Sequence, residues 1–414
     1  MGCRIAVLAV AAWGCVLSCA PSFAQPQTTT AQTVRANATP GTAATVWQES
    51  KSVAVAGYQI GLSKPVLVAR SRGYLWFPTL VRLASGDVMA VMSNYPDKHV
   101  AVSTSMTAWS HDGGVTWTKP VEAQYGDVSL RRAGDDELLL PYYLRPTADG
   151  KLTGPFQICP KRKQELRVVN DGLTISGMPR KDKSFAPELG LAGFVFSGQS
   201  VATKSGGHLA TLYGWFEGTS RFSLVTVESA DGVKWNWKST IADETCPVPG
   251  KEGPCEAALC RLADGRLMSV FRMNSAEPYG QAWSEDDGKT WSPPAQMKGP
   301  FSVQPSLAVL KDGTVALSGG RPGIFVWLNA DKTGKEWQKI DLMAHHNEQR
   351  PDEAIKDPGQ TSAYTEVIAL DDQHLLVIYD RIPSGWDPIP EGSTETNSVW
   401  VVRVKVQPAK PAGT

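Results

Sequence analysis

The chain has 414 residues, and Lys plus Arg equals Asp plus Glu at 41 each, so its formal net charge is zero. That balance gives no electrostatic reason to expect a nucleic acid or an anionic membrane surface as partner. The length suits one large all-β domain, and fourteen tryptophans with 38 glycines against six histidines suit a sheet protein that meets flat, polar ligands.

The first residues read as a secretory signal. Arg4 precedes an apolar run over residues 5–17, too short for a membrane-spanning helix, and Ser22, Phe23 and Ala24 form a small-x-small cleavage site. Residues 1–24 are therefore expected to be removed on export to the periplasm or beyond; the alternative is a lipoprotein acylated on Cys19. Residues 25–45, rich in Thr, Ala, Gln and Pro, read as a flexible leader, residues 46–407 as the folded domain, and residues 408–414 as a tail.

Within the domain one unit recurs: an apolar strand, a tight turn, and a second apolar strand. Its turns fall at Gly86, Gly265 and Gly313, at Asp371 to His374 without glycine, and in weaker form around Gly134 and Gly206. Six hairpins at this spacing predict one propeller blade each, and helical periodicity is hardly visible. The segment 398–406 is expected to pair with an N-terminal strand near 52–58 and close the ring. Residues 155–187, with Lys161, Lys163, Lys181 and Lys183, read as a solvated insertion.

A second motif follows the hairpins. Ser110, Asp112, Gly114 and Trp117 share their spacing with Ser284, Asp286, Gly288 and Trp291. Ser229, Asp231, Gly232 and Trp235 form a copy one residue shorter, and Asn329, Asp331, Gly334 and Trp337 one residue longer. Asp can accept turn N–H groups, Gly takes the left-handed conformation, and Trp packs back between strands. These segments resemble the Asp-boxes of the sialidase superfamily. The resemblance covers roughly residues 60–405 and implies an all-β, six-bladed β-propeller with its site in a central depression. It also implies a folding role for Asp112, Asp231, Asp286 and Asp331.

The same resemblance implies roles for several residues, taken in chain order. Trp76, before Phe77 and Pro78, stands where the family carries the first arginine of its carboxylate-binding triad, and it suits stacking on a sugar face. Arg70 or Arg72 would replace that arginine only if the loop bends back. Asp97 lies where the family's acid/base belongs. Glu256, just before a hairpin, resembles the glutamate that activates the nucleophile, with Arg272 and Arg321 as the remaining triad members. Tyr364, after Ser362 and Ala363, resembles the nucleophilic tyrosine. Asp380 and Arg381, with Trp386, are candidates for the rim of the pit. Plain alternatives stand beside each: a core tyrosine, a loop glutamate or aspartate, structural salt bridges.

The function implied is an exported exo-glycosidase releasing terminal sialic acid or a related acidic sugar. It would act as a monomer on a glycan, with no metal or organic cofactor. Two other readings remain open: a glycan-binding propeller without hydrolysis, and a glycosidase or lyase for another polysaccharide. Of the cysteines left after export, Cys246 and Cys255 flank a short Pro/Gly loop and are the expected disulfide, against four buried thiols as the alternative. His345 and His346 read as part of a polar loop, and no Cys or His spacing matches a zinc site.

Overall fold

A computed structural model describes residues 47–409, apart from 56, 101–103, 125–128, 134–135, 161–166 and 276. The signal, leader and extreme tail, with Cys19, and the lysines at 161 and 163 lie outside the described residues. Among those described, no helix is long and apolar enough to cross a membrane.

Strands dominate because the sequence alternates short β-branched and apolar runs with glycine turns. Among the described residues they can be grouped into six antiparallel four-stranded units, with an outer hairpin added to the last. The first is Trp76–Arg82, Val88–Ser93, Thr104–Ser110 and Val121–Gln124. The fourth is Cys255–Arg261, Leu267–Arg272, Pro278–Ser284 and Ala295–Phe301; the fifth is Ser306–Val309, Val315–Gly320, Ile324–Asn329 and Gln338–Asp341. A nine-stranded sheet contains the second and third, led by Ser129–Ala133 and Phe194–Ala202, and joined only through a short parallel pairing of Thr174 to Ser176 with Lys234 to Asn236. The sixth combines Glu366–Ala369, His374–Arg381 and Asn397–Pro408 with Val66–Ser71 from the other end of the chain.

Six apolar clusters lie between consecutive units and close the ring. Val81 and Met89 meet Leu139 between the first and second, and Phe156 and Leu173 meet Phe196 and Trp235 between the second and third. Val195 and Leu209 meet Leu259 and Phe271, Val270 meets Leu317 and Trp327, and Ile324 meets Val377 and Val402. Leu376 and Val399 complete the circuit against Leu80 and Ala90. Each sheet thus buries both faces, the packing a β-propeller requires.

The ring closes slightly later in the chain than 52–58 suggests. Asn397–Pro408 pairs with Tyr58–Ser63 and with Val66–Ser71, while Glu49–Val55 pairs only with Tyr58–Ser63 as an outer hairpin. The reason is burial: Ile60 to Ser63 are buried, whereas no residue of Glu49–Val55 is. Residues 155–187 are also not one solvated insertion. Leu152–Pro160 and Arg167–Ser176 are strands of the second unit, because Phe156, Leu173 and Ile175 have a core to enter; among the described residues of this stretch, the segment after residue 176 loops out.

The Asp-boxes occupy the turn between third and fourth strands in the first, third, fourth and fifth units. In the fourth, Asp286 Oδ1 accepts the backbone N–H groups of Lys289 and Thr290 at 3.1 and 2.9 Å and the Ser284 hydroxyl at 2.9 Å. Gly288 (φ +84°) donates to Ser284 Oγ at 2.8 Å. Hydrogen bonds from the Thr290 side chain and backbone lead in holding the Asp286 carboxyl at about 2. Among the described residues these aspartates bond only within their own turns.

Two further expectations are corrected. Cys246 and Cys255 share one apolar cluster but are unbonded, and all four described cysteines are buried free thiols. The Cys255 thiol lies 3.7 Å from the Arg272 carbonyl, its neighbour on the paired strand. His345 and His346 sit on an eight-residue helix, Leu342–Gln349, and both are buried. Their rings reach the Ser63 carbonyl at 2.8 Å and the Tyr379 hydroxyl at 3.0 Å.

Candidate active site

The cavity is lined from the start of the leading strands of the first, fourth and sixth units, by Phe77, Glu256 and Glu366, and at the first two the backbone departs from regular pairing. Register shifts at Cys255/Ala257 and Trp76/Thr79 make bulges around Glu256 and Phe77. Both residues take positive φ, +38° and +47°, as do Gln304, Arg321 and Ala363. Three of the five, Phe77, Glu256 and Gln304, line one cavity, and such concentrated strain is the kind that functional sites carry.

The bulge at Glu256 aims its carboxylate at Tyr364. The Tyr364 hydroxyl donates to Glu256 Oε1 at 2.6 Å, and the Gln304 backbone N–H donates to Oε2 at 2.9 Å. Arg272 Nη1 lies 2.9 Å from both Glu256 oxygens and 3.1 Å from the tyrosine hydroxyl. Its Nη2 donates to Glu252 at 2.9 Å and to Ser275 Oγ at 3.2 Å. Burial, reinforced by the Glu256 carboxylate, raises the Tyr364 pKa well above its ordinary value. The phenol therefore stays protonated at rest and must hand its proton to a base in order to react.

Asp97 faces the same cavity, of about 530 Å³, as Tyr364 and Glu256. Burial of its carboxyl raises its pKa, against the pull of Arg321 and His99 and with a further push from Glu256. Arg321 donates to the Ser362 carbonyl at 2.7 Å, and its guanidinium carbon lies 5.4 Å from the centre of the Tyr364 ring and 5.3 Å from that of Trp386.

Three expected site residues stand elsewhere. Trp76 is 2% exposed, with its indole N–H on the Tyr95 carbonyl at 2.9 Å; the bulge turns Phe77 into the cavity in its place. Asp380 is fully buried beneath the site, accepting from Thr361 Oγ1, the Ser362 N–H and the Phe77 N–H at 2.8, 2.8 and 3.1 Å. It ties the Tyr364 loop to the Phe77 bulge. Arg381 pairs with Glu395 at 3.0 Å, away from the cavity. Arg70 and Arg72 are also directed outward, to Glu353 and to the Ser393 carbonyl.

Other residues at the site were not singled out from sequence: Phe77, Glu252, Gln304, Gln199 and Glu366. The positive-φ bulges leave no mark in composition, although Glu366, a carboxyl opening an apolar strand, was a readable signal. Among the described residues no cluster of three or more His, Cys, Asp and Glu side chains could hold a metal ion. The cavity wall is rich in aromatic hydroxyls, including Tyr142 and Tyr213, which suits a polar ligand with flat faces.

The sequence profile of the BNR repeat-like domain matches residues 132–377. No curated protein gives a significant match. Among solved structures, the chain resembles a protein of unknown function from Dyadobacter fermentans at TM-score 0.64 and 18% identity, covering 85% of this chain and all of that one. It resembles the NanB sialidase of Streptococcus pneumoniae at 0.52 and 17%, covering 83% and 70% of the two chains. An α-L-arabinanase of Penicillium chrysogenum is similar at 0.55 and 16%, covering 82% and 98%. At such identities the likeness is one of fold.

Proposed function

The chain belongs to the BNR repeat-like domain family, and from that premise we propose that it is an exported glycoside hydrolase that releases a terminal sugar, sialic acid or a related acidic residue. The observation that carries the reading is the 2.6 Å hydrogen bond from Tyr364 to Glu256, with Asp97 on the same cavity. Tyr364 Oη attacks the anomeric carbon while its proton passes to Glu256, and Asp97 protonates the departing oxygen. In the second step Asp97 takes a proton from water, the resulting hydroxide displaces the tyrosine, and Glu256 returns the proton to Tyr364. Two displacements retain the anomeric configuration. A neutral nucleophile backed by a carboxylate answers the problem of a substrate that carries its own carboxylate beside the reacting carbon. Arg321, beside the Tyr364 ring, and Arg272 supply positive charge there.

A second reading, a glycosidase for a neutral sugar, is favoured by one observation. Arg272 is already shared between Glu256 and Glu252, and a buried tryptophan holds the place of a third arginine. Fluorogenic aryl glycosides of sialic acid, α-L-arabinofuranose and β-D-galactose, assayed with the wild type and Tyr364→Phe, separate the two. Release of sialic acid that vanishes in the variant supports the first reading; release of only neutral sugars supports the second. Glycan binding without any release overturns both and leaves a binding propeller.

A further inference from the structure

One carboxyl on the cavity has no part in the reaction above. Glu366 lies two residues beyond Tyr364, at the start of the innermost strand of the sixth unit, and is 5% exposed. Its Oε1 accepts from Ser306 Oγ at 2.9 Å and lies 3.4 Å from Gln199 Nε2, which is also 3.4 Å from the Leu80 carbonyl. Those partners belong to the innermost strands of the fifth, third and first units, so Glu366 stands where the inner strands converge. No Arg, Lys or His among the described residues pairs with it, and its other oxygen, Oε2, makes no hydrogen bond to them. Yet the residue lines the same cavity as Tyr364, Glu256 and Asp97.

A carboxyl buried without a cation is costly and needs partners for both oxygens. A purely structural plug would satisfy both from the protein. Here one oxygen is held in place and the other is left to the cavity. Burial pushes the group up to about 7, so around neutrality it offers an O–H donor as well as acceptors.

We propose that Glu366 is a substrate-binding residue whose Oε2 hydrogen-bonds a hydroxyl of the sugar ring held over Tyr364, selecting rings that present a hydroxyl and not an anionic group to the pit floor. The proposal rests on the hydrolase reading only in placing a sugar ring in this cavity. A hydroxyl can donate and accept, so it fits the carboxyl in either protonation state. A carboxylate, sulfate or phosphate at that end would meet a buried group with no cation beside it.

The test measures binding of N-acetylneuraminic acid, L-arabinose and D-galactose by calorimetry to wild type, Glu366→Ala, Glu366→Gln and Tyr364→Phe. It is run beside KM and kcat for the aryl glycosides and with the thermal midpoint of each variant. Loss of the partner of a buried hydroxyl should weaken binding and raise KM by about 10- to 100-fold in Glu366→Ala. Glu366→Gln, still a donor and acceptor, should recover most of it, and a deoxy sugar lacking that hydroxyl should bind wild type and Glu366→Ala equally. Unchanged binding in a folded Glu366→Ala overturns the proposal while leaving the hydrolase reading intact. Hydrolysis that survives Tyr364→Phe overturns that reading instead, and binding still decides on Glu366. A wild type that binds none of the sugars overturns both.

Discussion

Glu256 and Tyr364 meet at 2.6 Å across 108 residues of chain, one from a bulge that opens the fourth unit and the other from the loop that enters the sixth. Neither is held by regular strand pairing. Glu256 is fixed by Arg272 and the Gln304 amide, and the Tyr364 loop by Asp380 through Thr361 and Ser362. The pair is therefore built by a second layer of charges and hydrogen bonds, which makes its chemistry sensitive to residues that never touch a substrate.

Since the tyrosine proton has nowhere else to go, nucleophile and base should behave as one unit. Tyr364→Phe and Glu256→Gln are each expected to lower kcat by about 10²- to 10⁴-fold. The double variant should be scarcely worse than the poorer single one. Steady-state kinetics of the three variants on one aryl glycoside checks this; multiplicative losses would mean that the two residues act independently.

The Asp97 carboxyl sets an alkaline limit. As the acid it must be protonated, and burial raises its pKa from the usual aspartate value, so kcat/KM should fall as pH rises through that raised pKa. Asp97→Asn should flatten this limb and lower the rate. The loss should be larger, toward about 10³-fold, on glycosides with an alkyl leaving group than on aryl ones, which depart with little help. Equal losses on both would remove Asp97 from the acid role.

Trp76 and Trp386 should separate stability from binding. Their rings are 5.1 Å apart, but Trp76 is 2% exposed and Trp386 40%. Trp76→Ala opens a cavity in a packed aromatic group and is expected to cost about 3–5 kcal/mol of unfolding free energy. Trp386→Ala should leave the thermal midpoint nearly unchanged while raising KM about 10-fold, through loss of an aromatic face beside Arg321. Denaturant unfolding and KM on the same preparations decide it.

The contrast between those tryptophans marks what the sequence could and could not convey. Turn chemistry is local, so the glycines at 86, 206, 265 and 313 and the Asp-boxes were legible, and with them the propeller. Tyr364, Glu256 and Arg272 could be proposed because each sits at the edge of a recognisable hairpin. The bulge at Trp76/Thr79 is invisible in composition, and it decides which of two adjacent aromatic residues faces the cavity. Asp380 misled for a related reason: a carboxylate after an apolar strand looks the same whether it faces a pit or caps a loop beneath it. The helix at 342–349 escaped because it is short and its face is not apolar.

Glu366 gives a prediction that needs no substrate. Its pKa rises from 4.5 to about 7 on folding because burial disfavours the charged form. Between those values the folded protein keeps a proton that the unfolded chain has released, so stability falls as pH rises through this window and levels off above it. A rise from 4.5 to about 7, at ~1.4 kcal/mol per pH unit, amounts to ~3.5 kcal/mol in full. Glutamine keeps the hydrogen bonds to Ser306 and Gln199 and does not titrate. The unfolding free energy of Glu366→Gln relative to wild type should therefore improve by ~3 kcal/mol between about pH 4.5 and 7.5, read as urea midpoints at constant slope. A gap that does not move with pH would mean that Glu366 carries its charge into the fold. A ligand hydroxyl would then have to be the donor in that contact, and sugar binding would not change with pH through this window.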